Sequence, residues 1–153
     1  MHHTFMYGLH NYLLFTVKQP NPGLIKESIK TSIDWDNHFY QERGVDVSKT
    51  KHIIYNDNFP NDYPCEETEK ELGVVFFEKT SFTKSELRKG IRVYRLGSIE
   101  LNNDTISITI LENSLQIRKK HVAFCVGEGM TCKYVLDYQT KQWEKSECKH
   151  WGI

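Results

Sequence analysis

Three side chains that could bind a metal ion or transfer protons recur at intervals of four residues: Asp34, His38 and Glu42. Residues four apart lie on one face of a helix, so these groups would be stacked along it. A metal site of this kind needs matching ligands from a second helix, and the sequence contains no such set. A solvated helix face is the favoured interpretation. The three residues stay weak metal candidates, and no cofactor is expected.

The four cysteines could form disulfides or bind zinc; they are Cys65, Cys125, Cys132 and Cys148. Their spacing lacks the paired Cys-x-x-Cys of zinc knuckles. If Gly127–Gly129 is a hairpin turn, strand alternation puts Cys125 and Cys132 on opposite faces. In the next hairpin, pairing Leu136 with Trp143 keeps both side chains inside and places Glu147, not Cys148, opposite Cys132. We therefore expect Cys125, Cys132 and Cys148 to be reduced thiols. Reduced thiols predict a reducing, cytoplasmic location.

Motifs for nucleophilic catalysis or nucleotide binding do not occur in the sequence. It has no Gly-x-Ser-x-Gly elbow, no Gly-x-Gly-x-x-Gly and no P-loop. This favours a protein that is not an enzyme, without excluding catalysis by a site that only tertiary structure assembles.

The charges balance in number but not in position. The chain has 20 Lys+Arg and 20 Asp+Glu, whereas a general nucleic-acid binder normally has a basic excess. Residues 56–71 are mostly acidic, and residues 79–95 are mostly basic. The two segments could neutralise each other within the fold, or the acidic one could face a basic protein partner.

Aromatic side chains are interleaved with the acidic ones, as in interfaces that anchor a partner. The predicted partner-binding residues of this acidic segment are Tyr55, Asp57, Phe59, Asp62, Tyr63, Glu66, Glu67 and Glu69. They favour a non-catalytic protein-binding module, such as an inhibitor or a bacterial immunity-type protein that blocks a partner.

Local signals predict two helices that would position these residues. Asn21 can cap a helix that begins at Pro22, and Ile25, Ile29 and Ile33 give it an apolar stripe as far as about Arg43. A capping box at Thr83 and Glu86, followed by Gly90, predicts a short helix over residues 84–89. Residues 66–71 are expected to form one or two further helical turns.

Strand signals occupy the rest of the chain. Short apolar runs at residues 12–17, 53–55 and 74–77 predict strands in the first half. Alternation in the second half predicts an antiparallel meander, with a hairpin joining residues 91–101 to residues 105–111. No apolar run is long enough to span a membrane. The start of the chain lacks the pattern of a signal peptide, although an exported form stays open if that start is mis-assigned.

Together these elements predict a single α+β domain, in which a curled antiparallel sheet of four to six strands packs on one long N-terminal helix. The element order is similar to that of cystatin-like or nuclear-transport-factor-like cones. The alternative function is therefore a small ligand, or an unidentified reaction, in a pocket between helix and sheet.

Overall fold

The computed structural model describes residues 21–152, so the predicted strand at residues 12–17 lies outside the described residues. The elements are α1 (Pro22–Gln41), β1 (Ile53–Tyr55), α2 (Cys65–Leu72), β2 (Val75–Phe76), a 3-10 turn (Phe77–Lys79), α3 (Lys84–Lys89), β3 (Ile91–Asn102), β4 (Thr105–Arg118), β5 (His121–Asp137) and β6 (Gln142–Gly152).

Helix α1 confirms the long N-terminal helix. The Asn21 side chain accepts a hydrogen bond from the Gly23 backbone N–H at 2.9 Å, and Pro22 occupies the first turn, where its missing N–H costs nothing. The buried residues of the helix are spaced three or four positions apart, so they lie on one face. Its members are Leu24, Ile25, Ser28, Ile29, Ser32, Ile33 and Asp36.

The six strands described form one mixed sheet in the order β2-β1-β3-β4-β5-β6. Strands β3 to β6 are the expected antiparallel meander, but β1 pairs in parallel with both β2 and β3. The parallel pairs arise because α2 and α3 carry the chain back across the sheet between successive strands. The α+β class is therefore confirmed, whereas a purely antiparallel sheet is wrong.

The hairpin between β4 and β5 turns at Lys119 and Lys120, and the expected turn at residues 127–129 is wrong. Both lysines have positive φ, at 48° and 68°, as a two-residue turn of this kind requires. Gly127 is instead the extra residue of a β-bulge, because Glu112 pairs with Glu128 and Asn113 pairs with Val126. Strand β5 therefore continues through the glycines.

The bulge moves the apolar residues of β5 from one face of the sheet to the other. Met130, Cys132 and Tyr134 belong to the main core, which packs on α1. Phe124 belongs to a second cluster with Leu115, covered by residues of the 3-10 turn and α3. Both faces of the sheet are therefore partly covered, and α1 covers only one.

Helix α3 has the predicted capping box. The Glu86 backbone N–H donates to Thr83 Oγ1 at 3.2 Å, and the Thr83 backbone N–H donates to Glu86 Oε2 at 2.7 Å. Within residues 21–152, no helix is both long enough and apolar enough to cross a membrane.

Candidate functional site

Four polar side chains meet between α1 and the sheet, and they are hereafter called the carboxylate cluster: Asp36, Arg92, Tyr94 and Glu112. Asp36 lies on the buried face of α1. Arg92 and Tyr94 are two residues apart on β3, so they share a face of the sheet. Glu112 on β4 lies directly opposite Tyr94. Helix period and strand register together therefore bring two carboxyl groups and one guanidinium into contact.

The contacts of the cluster are charged and mostly buried. The Asp36 side chain is 4% exposed, and its Oδ2 lies 3.1 Å from Arg92 Nη2 and accepts the hydroxyl hydrogen of Tyr94. The Glu112 side chain is 11% exposed, and its Oε1 contacts Arg92 Nε. One guanidinium thus serves two carboxyl groups, which leaves the cluster with one carboxyl more than it has cations when both are ionised.

Burial and crowding change the protonation of these groups. Burial is the main cause that raises the pKa of Glu112 to about 8, and the charge of Asp36 adds to it while Arg92 opposes it. Burial also raises the pKa of Tyr94 and lowers that of His52, whose Nδ1 is 3.4 Å from the Tyr94 hydroxyl. Glu112 therefore keeps its proton at neutral pH.

A groove of about 380 Å³ opens beside the cluster and is lined by β3, β4 and β5. Its lining includes Gly90, Arg92, Glu112, Ser114, Cys125, Gly127 and Glu128. Arg92 also lies 4.9 Å from the ring centre of Tyr40, near the C-terminal end of α1, so the groove adjoins that end of the helix. Ligand sites have volumes of this order.

Glu112 also lines a separate cavity of about 10 Å³, which has room for about one water molecule. Ser32, Asp36, Tyr94 and His150 line the same cavity. A single carboxyl group therefore touches both the interior cavity and the open groove.

Strand β6 closes the side of the cavity through His150. Its ring stacks on that of Trp35 in α1 with the centres 3.5 Å apart, and its Nε2 lies 3.1 Å from Glu128 Oε2. Because Glu128 lines the groove and His150 lines the cavity, the two spaces are in contact through this pair.

The predicted acidic segment uses its aromatic side chains inside the fold. Tyr63 is buried, and its hydroxyl accepts a hydrogen bond from Thr68 at 3.0 Å. Phe59 packs edge-on against Tyr63 and Phe76. Tyr55 contacts the rings of Phe77 and Phe124. These aromatics are core contacts and do not form an exposed aromatic rim.

Several acidic side chains of the segment are paired within the protein. Glu67 and Glu71 both contact Lys26 of α1, at 2.9 and 2.6 Å. Two pairs join the acidic segment to the basic one: Glu69 with Lys79 at 2.7 Å, and Asp57 with Arg95. Asp62 and Glu66 are exposed and make no ion pair with another residue of the range 21–152.

The three weak metal candidates lie along α1, as their spacing predicts. Asp34 Oδ2 is 2.5 Å from Lys30 Nζ, and His38 Nε2 is 3.2 Å from Glu42 Oε1. All three are exposed. Across the part of the chain that the structure describes, no group of three or more His, Cys, Asp or Glu side chains is arranged to hold a metal ion.

The expectation of reduced thiols at Cys132 and Cys148 is wrong, because these two cysteines form a disulfide. A bulge at Ser146 shifts the register between β5 and β6, so that Cys148 and not Glu147 lies opposite Cys132. Cys125 and Cys65 are free thiols, the first exposed and the second half-buried. The predicted placement of Cys125 and Cys132 on opposite faces is wrong, because the bulge at Gly127 puts Cys125 on the same face as Cys132. The reducing compartment was inferred from reduced thiols, so the disulfide removes the support for that inference.

The carboxylate cluster was missed by motif searches, although two signals were present in the sequence. Asp36 continues the apolar stripe of Ile29 and Ile33, where a surface helix normally has no acid. Glu112 follows Ile106, Ile108 and Ile110 at the same parity. An acid that continues a buried pattern is evidence of a buried polar partner.

Comparison with known proteins finds no family model, no curated protein and no solved structure that matches the chain. The function must therefore be argued from the geometry of the site.

Proposed function

We propose that this protein binds a small polar ligand in the groove beside the carboxylate cluster, with Arg92 and Glu112 as the recognition groups. The observation that carries the proposal is the position of Glu112, a mostly buried carboxyl group that lines the groove. This is the alternative function that the sequence left open, with the site at the end of the interface between helix and sheet.

The energetic cost of the cluster supports a role beyond folding. Burying two carboxyl groups beside one guanidinium removes three polar groups from water, and such networks stabilise a fold weakly or not at all compared with apolar packing. Groups with strongly shifted pKa values in a cleft are frequent at functional sites. A carboxyl group that keeps its proton at neutral pH can donate a hydrogen bond and can transfer a proton to a bound molecule.

The groove can be tested without knowing the ligand, because Cys125 lies in its wall. In a Cys65→Ser background, Cys125 is the single reactive thiol among the described cysteines, since the other two form the disulfide. We expect small polar fragments to shift the NMR amide signals of Arg92, Glu112 and Ser114. Alkylation of Cys125 with a bulky maleimide should abolish those shifts.

The matched control is the Cys65→Ser, Cys125→Ser variant, whose fragment-induced shifts should survive the same maleimide treatment. Fragments that shift only signals remote from the groove, or shifts that persist when Cys125 is alkylated, would contradict the proposal.

A second candidate, the protein-binding module, is favoured by the two exposed carboxylates Asp62 and Glu66. Glu67 and Glu71 are about half exposed, at 58% and 49%, despite their contacts with Lys26. The surface of α2 and the loop before it is therefore still acidic. Electrostatic attraction of this kind would recruit a basic protein surface and set its orientation.

A further inference from the structure

The groove is short of positive charge. When all acids are ionised, Asp36, Glu112 and Glu128 bring three negative charges to the groove and its inner wall, and Arg92 brings one positive charge. Of the Arg92 nitrogens, Nε and Nη2 are buried against the two carboxyl groups. Most of the positive charge that Arg92 offers is therefore already matched inside the protein.

Titratable groups face Glu112 from every element packed around it. Asp36 faces it from α1, and Arg92 and Tyr94 face it from β3. Glu128 lies directly opposite on β5, and His150 of β6 lines the same cavity. His52 reaches the cluster only through the Tyr94 hydroxyl. Among these groups, Arg92 is the one whose charge is fixed and positive.

The walls of the groove leave space for a ligand beside Glu112. Gly90 and Gly127 line the groove on opposite sides, and a Cβ at Gly127 would meet only the Glu112 backbone oxygen, at 3.8 Å. A side chain at Gly90 would collide with Ser114 Oγ at 2.3 Å. Small residues on both sides thus keep open the approach to Arg92, Glu112 and Ser114.

We propose that the groove takes a ligand with a cationic nitrogen, a primary amine or a guanidine, which binds between the carboxyl groups of Glu112 and Glu128. This deepens the proposed function and rests on it. The charge of the site is unchanged by binding. Glu112 releases one proton to solvent, and the positive charge of the ligand takes the place of that proton beside Asp36. The Ser114 hydroxyl, with its free lone pairs, can accept a further N–H hydrogen bond.

Because ligand binding is coupled to the release of a proton from Glu112, the affinity for the ligand depends on pH. Below the pKa of Glu112 of about 8, the ligand must displace a bound proton, so its affinity should rise about tenfold for each pH unit. Above that pKa the affinity should become independent of pH until the ligand itself loses its charge. An anionic ligand would show the opposite behaviour, because it would hold the proton on Glu112.

Isothermal titration calorimetry of the whole protein at pH 7 tests this, with benzylamine and agmatine as probes and with benzyl alcohol and benzoate as the neutral and anionic controls. Titrations in phosphate and in Tris, whose ionisation enthalpies differ, measure proton release. We expect both amines to bind with release of nearly one proton, and the two controls to bind at least tenfold more weakly. Glu112→Gln should remove the proton release and weaken amine binding at least tenfold.

A second variant protects the test against misfolding of the first. Glu128 lies nearer the surface than Glu112, so its replacement disturbs the core less. The Glu128→Gln variant should weaken amine binding several-fold and leave the proton release intact. If benzyl alcohol or benzoate binds in the groove without proton release, the cationic ligand is wrong and the proposed function stands. If small polar fragments also fail to shift the NMR signals of Arg92, Glu112 and Ser114, both the cationic ligand and the proposed function are wrong. Amine binding that is unaffected by both variants would overturn the inference.

Discussion

Glu112 is a mostly buried carboxyl group whose pKa is raised by burial. It pairs across the strands with Tyr94, contacts Arg92 and lines both the groove and the cavity. Its pKa is raised from 4.5 to about 8 in the folded state. Between these values the folded protein holds a proton that the unfolded chain has released, so stability falls as pH rises through this range.

Replacement of Glu112 by Gln should remove this pH dependence, because an amide has a similar shape and no titrating proton. The free energy of unfolding of the wild type, measured by urea denaturation from pH 5 to 8, should fall with rising pH relative to that of Glu112→Gln, by roughly 1 kcal/mol per pH unit at first and less near pH 8. Glu144→Gln, on the exposed part of β6, is the control and should follow the wild type. Parallel curves for the wild type and Glu112→Gln would refute a raised pKa at Glu112.

At the scale of elements, the bulges decide which side chains share a face of the sheet. One extra residue reverses the alternation of every residue beyond it. Gly127 does this in β5 and Ser146 does it in β6, and the second bulge brings Cys148 opposite Cys132. Among residues 21–152, β6 pairs with β5 alone, and the disulfide adds a covalent link to the hydrogen bonds of that pair.

The disulfide predicts the thiol count and a loss of stability on reduction. Under denaturing, non-reducing conditions a thiol reagent should label Cys65 and Cys125 only, and after reduction all four cysteines should react. Because the bridge closes a loop with a sequence separation of 16, its loss should lower the free energy of unfolding by about 3 kcal/mol.

The double variant Cys65→Ser, Cys125→Ser provides the control for this measurement, since it keeps the disulfide. It should lose the same stability when reductant is added. Four reactive cysteines in the protein before reduction would show that the bridge does not form.

At the scale of the whole molecule, the segregated charges of the sequence are largely brought together by folding. Asp57 and Glu69 of the acidic segment pair with Arg95 and Lys79 of the basic one. For those two pairs, the acidic and basic segments neutralise each other within the fold instead of facing a partner. What is left for a partner is the exposed acid around Asp62 and Glu66, which is a smaller surface than the sequence suggests.

A charge-reversal variant tests that surface as a site for a basic protein partner. Asp62→Lys with Glu66→Lys should slow association with a partner isolated from native cells by about tenfold or more at low salt, because steering acts on the association rate. The fold should be unaffected, since neither side chain makes an ion pair with the rest of residues 21–152. Glu144→Lys, a reversal of the same sign on the exposed part of β6, is the control. An unchanged association rate would exclude this surface.

The sequence by itself determined the local elements. The Asn21 cap and isoleucine stripe of α1, the Thr83–Glu86 capping box and the hairpin of β3 and β4 depend on neighbours a few residues apart, and each appears in the structure as predicted. The α+β class followed from the order of these elements.

Tertiary structure alone decided the bulges at Gly97, Gly127 and Ser146, the disulfide and the carboxylate cluster. A bulge depends on whether the two strands together pack better with one residue looped out, and this is a property of the pair that neither strand's alternation contains. Likewise, Asp36 and Glu112 are 76 positions apart in the chain. Their carboxyl groups meet because α1 packs on β4 and β5, and burial together with that proximity is what keeps a proton on Glu112.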